Sequence, residues 1–177
     1  MKQNNDSGAQ TGVDRAALDL TKTGIVKIVS GAQTGVDRAA LDFAINNGIP
    51  HGGFCPRGRL SESGRISDKY NLVETSSSGY RDRTRKNVLH SDGTLIITRG
   101  RVEGGTGLTF DICGACNKPR LVVKVERRLE PEKFVQFVRQ NNIRILNVAG
   151  PRERKQKGIG KETIRVLTKL FEHLAAV

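Results

Sequence analysis

The hydrophobic positions of this chain form short apolar runs that alternate with longer segments of helical periodicity. Runs rich in β-branched residues are typical of buried strands, and apolar residues three or four positions apart are typical of helices that pack one face. The first run, residues 25–29, ends at Ser30-Gly31, and a helix with Val36, Ala40 and Phe43 on one face follows it. This strand–turn–helix unit predicts the start of a βα series.

The alternation continues to the C-terminus. Further strands are predicted within residues 48–56, 70–75, 93–98, 120–125 and 143–149. Further helices are predicted at residues 80–90, after the glycines at 104–107 through 116, at 131–140 and at 160–175. Strands that alternate with helices predict an α/β domain, Rossmann-like and doubly wound, with a mostly parallel sheet and helices on both faces.

Three glycine turns follow predicted strands, and they mark the expected ligand site. They lie at residues 30–35, at residues 104–107 and at Gly150. Because the strands are parallel, these turns converge on one edge of the sheet, where open α/β sheets bind ligands. A helix that starts there offers unpaired N–H groups and a positive partial charge to a phosphate or another anion. Thr34 is expected to cap the helix after the first turn, and the ligand is expected at that turn.

The candidate binding residues lie in or beside these turns, or carry a charge that suits an anion. They are Ser30, Gly31, Gln33, Thr34, Gly35, Asp37, Arg38, Gly52, Gly53, Arg57, Arg81, Arg85, Thr98, Gly104, Gly105, Thr106, Gly107 and Gly150. The polar stretch 57–69 is expected to be a lid or binding loop. No nucleophile–base pair has convincing spacing, so no catalytic residue is predicted. No metal site is predicted, since Cys113 and Cys116 fall within a predicted helix without a second ligand pair.

The segment SGAQTGVDRAALD occurs twice, at residues 7–19 and at residues 30–42. The first copy lacks the strand that mounts the second, because residues 1–6 are polar. A phosphate-binding turn needs that strand, so the first copy is not expected to form a second site. We therefore predict an N-terminal extension, residues 1–23, that carries the duplicate and one Rossmann-like ligand-binding domain, residues 24–177.

Composition narrows the class of partner. The 177 residues carry a net charge of +12, but the basic residues are spread over several clusters and base-stacking aromatics are few, with no Trp, two Tyr and six Phe. These features favour a small anionic ligand over nucleic acid. The chain has no apolar stretch long enough for a membrane span, and its three cysteines suit a reducing compartment. We therefore expect a cytoplasmic protein without membrane contact.

Five motifs in order resemble the molybdenum carrier, or molybdenum cofactor carrier, proteins. They read SGAQTGVDRAALD (30–42), GIPHGGFCPRGR (48–59), YRDRTRKNVLHSDGTLI (80–96), GGTGLTFD (104–111) and LNVAGPRE (146–153). The resemblance implies a broader Rossmann-like superfamily that also includes the Lonely Guy phosphoribohydrolases and the DNA-processing protein A. The resemblance implies a homo-oligomer, dimer or tetramer, that binds molybdenum cofactor (molybdopterin) without turnover. It also makes molybdenum enzymes candidate partners.

A second interpretation is a nucleotide-binding, phosphoribohydrolase-like enzyme that acts on nucleoside monophosphates. The Lonely Guy enzymes carry a similar GGxGTxxE motif with an arginine on the preceding helix. Here Arg85 matches the arginine and Asp111 the glutamate, but Leu108 replaces the threonine. The shorter carboxylate of Asp111 reaches less far toward a ribose hydroxyl. From the residues alone the ligand stays open among molybdenum cofactor, a nucleotide and an oxyanion.

Overall fold

A computed structural model describes residues 20–177. The first SGAQTGVDRAALD copy, and with it most of the expected N-terminal extension, lies outside the described residues. The last residues of that extension, Leu20–Thr23, form a short 3-10 turn that contacts the C-terminal helix. Thr23 is buried, and its Oγ1 accepts a hydrogen bond from the N–H of Ile25 at 3.2 Å. This turn therefore contacts the domain that we expected to begin after it.

The sheet consists of parallel strands, as predicted. Its strands are β1 (Lys27–Val29), β2 (His51–Cys55), β5 (Leu72–Glu74), β6 (Gly93–Thr98), β7 (Arg120–Lys124) and β8 (Ile145–Ala149). They are ordered β5–β2–β1–β8–β6–β7, so the last strand in sequence lies at the centre beside the first. A separate antiparallel hairpin, β3 (Leu60–Ser61) and β4 (Gly64–Arg65), lies within the stretch expected to be a lid or binding loop.

Five helices cover the two faces of the sheet and confirm the Rossmann-like α/β fold. They are α1 (Val36–Asn46), α2 (Tyr80–Leu89), α3 (Gly104–Ala115), α4 (Pro131–Gln140) and α5 (Ile159–Ala176). Helices α1 and α4 both pack on α5, whereas α2 packs on α3. Right-handed crossovers place α1 and α4 on one face, because both connections run in the same direction along the sheet, and α2 and α3 on the other.

The two faces are held by different kinds of contact. The α1–α4–α5 face buries a large apolar core in which Phe171 packs against Phe43, with ring centroids 5.2 Å apart. Helix α2 instead buries a polar residue, Asn87, whose amide donates to the C=O of Phe54 at 2.9 Å and accepts from its N–H at 2.8 Å. This bidentate contact fixes α2 against β2, and so fixes which side chains of α2 face the sheet edge.

The start of α1 differs from the prediction. The N-cap residue is Gly35, whose φ of 75° favours glycine, and the helix has no side-chain cap. The hydroxyl of Thr34 donates instead to Glu62 of the β3–β4 hairpin and accepts from the N–H of Glu153 at 3.2 Å. Thr34 therefore joins three segments of chain rather than capping a helix.

The glycines at 104–107 form the first turn of α3, not a turn ahead of it. Within residues 20–177, none of the helices combines the length and apolar composition that crossing a membrane requires.

Candidate functional site

A cavity of about 450 Å³ opens at the carboxyl ends of the central strands. Gln33 lines it after β1, Gly150 after β8, and Thr98 at the end of β6. The chain leaves β1 toward β2 on one side and leaves β6 toward β7 on the other, so the cavity lies at the topological switch point of the sheet. Its volume suits a small-molecule ligand.

The start of α3 is open to this cavity. Gly104, Gly105 and Thr106 line it, and Gly107 is the first residue of the helix whose N–H reaches a helical acceptor, the C=O of Glu103 at 3.0 Å. The N–H groups before it have no acceptor within the helix. A Cβ added at Gly105 would meet nothing within 4 Å, and the first turn holds no acidic residue. The positive end of this helix is therefore available to an anion.

Charged side chains around the cavity add to this preference. Five cationic side chains and three carboxylates line it: Arg83, Arg101, Arg152, Arg154 and Lys155, with Asp37, Glu62 and Glu103. Two carboxylates already face arginines, because Asp37 lies 3.0 Å from Arg83 and Glu62 lies 3.7 Å from Arg154. The remaining charges are three cations and one carboxylate, which favours an anionic ligand.

Arg83 and Asp37 form a buried pair at the floor of the cavity. Burial raises the pKa of Asp37 above its ordinary value, although the charge and hydrogen bond of Arg83 and the backbone N–H groups of Gln33 and Gly150 oppose that rise. The guanidinium of Arg83 also occupies the space that a Cβ on Gly31 would need. The lack of a side chain at Gly31 therefore leaves the space that the guanidinium of Arg83 fills.

The start of α1 is closed by the chain itself. The N–H of Val36 donates to the C=O of Pro151 at 3.2 Å, and a Cβ added at Gly35 would lie 2.7 Å from the backbone nitrogen of Glu153. The carboxyl group of Asp37 already lies in the first turn. The loop after β8 thus covers the turn at which we expected the ligand.

Helix α5 begins in a similarly closed way. The carboxylate of Glu153 accepts hydrogen bonds from the N–H groups of Gly158 and, at 3.1 Å, of Gly160. In the described part of the chain, α3 is the one helix starting beside β1, β8 or β6 whose first turn faces the cavity without a protein acceptor over it.

The predicted binding residues divide into two sets. Those that line the cavity are Gln33, Asp37, Thr98, Gly104, Gly105, Thr106 and Gly150. Those that do not are Ser30, Gly31, Thr34, Gly35, Arg38, Gly52, Gly53, Arg57, Arg81, Arg85 and Gly107. The second set includes scaffold residues such as Ser30, whose hydroxyl donates to the C=O of Val148 at 2.6 Å, and exposed arginines.

Helix α2 shows why some candidates lie elsewhere. Its sheet-facing side carries Thr84, Asn87 and Val88, and this orientation points Arg83 into the cavity and leaves Arg81 and Arg85 exposed. Asp111, the carboxylate of the hydrolase interpretation, is also exposed and does not line the cavity. The structure therefore does not bring Arg85 and Asp111 to the cavity.

Several lining residues were not predicted. They are Glu62, Tyr80, Arg83, Thr84, Arg101, Glu103, Leu108, Thr109, Ala149, Pro151, Arg152, Arg154, Lys155 and Gln156. The segment 151–156 could have been identified from the sequence, because it directly follows the glycine turn at Gly150, after the last strand. Arg152 packs over the ring of Tyr80, with 4.3 Å between its guanidinium carbon and the ring centroid. No local pattern pointed to Glu62, which reaches the cavity through the β3–β4 hairpin.

A protein-held metal has no evident site among residues 20–177, where no group of three or more His, Cys, Asp and Glu side chains could bind one. Cys113 is buried beside Val88 and Ile112, between α2 and α3. Burial raises the pKa of its thiol. Within the part of the chain that is described, Cys113 and Cys116 are thus packing residues.

A solved structure of a similar protein has the same fold. The crystal structure of a protein from Syntrophus aciditrophicus SB, recorded as "Putative molybdenum carrier protein", is 45% identical and superposes with a TM-score of 0.78. The similarity covers 84% of this chain and 95% of that one. No match was found among curated proteins. Residues 28–171, which contain all the strands of the sheet except the first residue of β1, match the circularly permutated YpsA SLOG family, and the chain belongs to that family.

Proposed function

We propose that this protein binds an anionic, phosphate-bearing ligand at the start of α3, and that this ligand is molybdenum cofactor or a close relative carried without turnover. The observation that carries the proposal is the open first turn of α3, whose residues Gly104–Thr106 line a cavity with surplus positive charge. The similar Syntrophus protein, by its recorded name a molybdenum carrier, supports the choice of ligand.

The residues present fit such a cofactor. It consists of a pterin with a terminal phosphate and a dithiolene that holds the metal, so the protein needs anion and hydrogen-bonding groups rather than metal ligands of its own. The α3 N–H groups with Arg101 and Lys155 would hold the phosphate or an oxo group. Arg152, stacked on Tyr80, would add a further cation to the lining of the cavity.

The same anion site also suits a nucleoside monophosphate, and the family supports a nucleotide-binding role as well. Hydrolysis of that nucleotide is the weaker alternative, because Arg85 and Asp111 lie outside the cavity. An Asp111→Asn variant separates the alternatives: a hydrolase would release free base and lose that release on substitution, whereas a carrier binds with no product.

The direct test is to identify what the protein carries. Protein purified without added ligand is denatured, and the released material is analysed by mass spectrometry for pterins and nucleotides and by elemental analysis for molybdenum. Pterin together with molybdenum would support the carrier proposal. A nucleotide alone, in protein that also fails to take up molybdenum cofactor in vitro, would overturn it. A Gly105→Val variant, which fills the space above the α3 turn, should be recovered without the ligand.

We also propose that the protein is a homo-oligomer, as the resemblance to molybdenum cofactor carriers implies. Light scattering coupled to size-exclusion chromatography would measure the subunit count. A strictly monomeric protein at micromolar concentration would contradict this expectation.

A further inference from the structure

Within residues 20–177, two hydrogen-bond acceptors that line the cavity are buried and have no hydrogen-bond partner. They are Oε1 of Gln33 and Oε2 of Glu62. Gln33 is 2% exposed and the side chain of Glu62 is 12% exposed. Buried polar atoms are normally hydrogen-bonded, and leaving one unpaired costs about 1–3 kcal/mol. Both atoms therefore suit a ligand that brings hydrogen-bond donors.

The surrounding contacts hold both acceptors in place. The amide nitrogen of Gln33 donates to the C=O of Leu60 at 2.9 Å, which assigns the other end of the amide as the oxygen. Oε1 of Glu62 accepts from the Thr34 hydroxyl and from the N–H of Arg154 at 3.4 Å. These bonds use one oxygen of Glu62 and leave the other for the cavity.

Glu62 also stays a carboxylate, so it can only accept. Burial raises the pKa of Glu62, but the hydrogen bonds from Thr34 and Arg154 and the charges of Arg152 and Arg154 outweigh that effect and hold its pKa below the ordinary value. The guanidinium of Arg154 lies 3.7 Å from Oε2, too far for a hydrogen bond.

The acceptors and the anion site lie on opposite sides of the cavity. Gln33 follows β1, and Glu62 lies in the hairpin that Gln33 and Thr34 hold against that end. The start of α3 follows β6, and β8 separates β1 from β6 in the sheet. A ligand that binds to both sides of the cavity therefore has hydrogen-bond donors at one end and a phosphate at the other.

We propose that Gln33 and Glu62 read the edge of a 2-amino-4-oxopyrimidine ring, the group shared by pterins and guanine, while the phosphate of the same ligand binds at α3. This ring edge presents a ring N–H beside an amino group, and two adjacent donors match a carboxylate oxygen and an amide oxygen. Adenine lacks the ring N–H at the equivalent position, and hypoxanthine lacks the amino group. The inference rests on the proposed function, because it assumes that the phosphate lies at α3.

The first test uses the unaltered protein. Isothermal titration at neutral pH compares guanosine, inosine and adenosine monophosphates, hydroxymethylpterin phosphate and inorganic phosphate. We expect the guanine and pterin compounds to bind at least about tenfold more tightly than the adenine and hypoxanthine compounds. The stronger of the two favoured compounds identifies the source of the ring.

Variants assign the preference to the two side chains. Glu62→Gln should reduce the preference for guanosine over adenosine monophosphate to about threefold or less, with inorganic phosphate bound at least as tightly as by the unaltered protein. Gln33→Met, which keeps the length of the side chain, should act in the same direction. The matched control is Glu74→Gln, since Glu74 accepts from the N–H of Gly58 near the hairpin but lies outside the cavity. It should leave the preference intact, and thermal unfolding verifies that each variant is folded.

The outcomes separate this inference from the proposed function. Equal affinity for all the monophosphates, with phosphate still competing, would overturn the ring-edge inference and leave the anion site in place. A preference that survives both Glu62→Gln and Gln33→Met would also overturn it. Absence of binding by every compound, inorganic phosphate included, would instead count against the proposed function.

Discussion

Helices α1 and α3 both begin at glycines that follow parallel strands. The chain covers the start of α1 and leaves the start of α3 open to the cavity. At α1, the C=O of Pro151 accepts from the N–H of Val36, and Asp37 places a carboxyl group in the first turn. At α3, the first turn lines the cavity and holds no acidic residue, and no acceptor from residues 20–177 lies over it. A helix N-terminus is thus a candidate anion site only when the rest of the chain leaves it uncovered.

The space around one glycine in each turn also differs between the covered start of α1 and the open start of α3. A Cβ at Gly35 would clash with the backbone of the loop after β8, whereas a Cβ at Gly105 would project into open space. Glycine is needed at Gly35 so that the chain can pack, whereas the proposed anion site needs glycine at Gly105 so that a ligand can approach. Substitution of Gly35 should therefore lower mainly the stability of the protein, and substitution of Gly105 should lower mainly its affinity for the ligand.

The largest expected effect is on stability at the closed turn. Gly35→Ala should lower the free energy of unfolding by about 2–4 kcal/mol, because it adds a positive-φ penalty to a clash with backbone atoms. Urea denaturation measures the change. Gly48→Ala is the matched control, since Gly48 has φ of 66° and nothing within 4 Å of an added Cβ, and it should cost about 1 kcal/mol. Equal losses in the two variants would show that the closure of α1 contributes nothing.

At the open turn the expected effect is on binding. Gly105→Val should weaken binding of inorganic phosphate or a nucleoside monophosphate about tenfold or more, because the side chain occupies the ligand's space. The free energy of unfolding should change by less than about 1 kcal/mol. Gly114→Val, at an exposed position of the same helix, should leave binding unchanged. Calorimetric titration of both variants would decide; undiminished affinity in Gly105→Val would move the anion site away from α3.

The carboxyl group in the first turn of α1 should give a distinctive pH dependence. Because burial raises the pKa of Asp37 above 3.8, the folded protein holds the Asp37 proton to a higher pH than the unfolded chain does. The stabilisation that this gives is full below 3.8 and is lost as pH rises through the folded pKa. The unfolding free energy of the wild type minus that of Asp37→Asn should fall with pH in this window, by at most about 1.4 kcal/mol per pH unit. Urea titrations at a series of pH values measure the slope. A difference that rises with pH would mean that the Arg83 contact outweighs burial.

The smallest expected effect concerns the hydroxyl that joins the closed turn to the hairpin. Thr34→Val removes the bonds to Glu62 and to the N–H of Glu153, and should lower the free energy of unfolding by about 1 kcal/mol. Thr163→Val, which removes a hydroxyl bonded only within α5, should cost less. Chemical denaturation of the pair tests this ranking, and equal costs would argue against a joining role for Thr34.

The fold could be predicted because most of the parallel strands are short apolar runs and most helices carry one apolar face. Strand β6 and helix α4 have the predicted bounds, residues 93–98 and 131–140. Helix α2 was harder to orient, because it buries Thr84 and Asn87 along with a single apolar residue. Arg81 and Arg85 were selected for their charge, whereas the structure points Arg83 into the cavity.

The candidate site was only partly predictable, for a different reason. The glycine pattern located both turns, but the closure of α1 depends on Pro151 and Glu153, which are far away along the chain. Glu62 likewise reaches the cavity through a hairpin of two-residue strands. Local sequence shows where a helix N-terminus lies, whereas long-range packing determines whether a ligand can reach it.

The most direct measurement is to follow the backbone amides of both turns during a titration. Amide proton–nitrogen correlation spectra would be recorded as inorganic phosphate, and then guanosine monophosphate, is added. We expect the resonances of Gly105 and Thr106 to shift with saturation while that of Val36 stays in place. Shifts at Val36 and Asp37 without shifts at residues 104–106 would contradict the assignment of the anion site to α3.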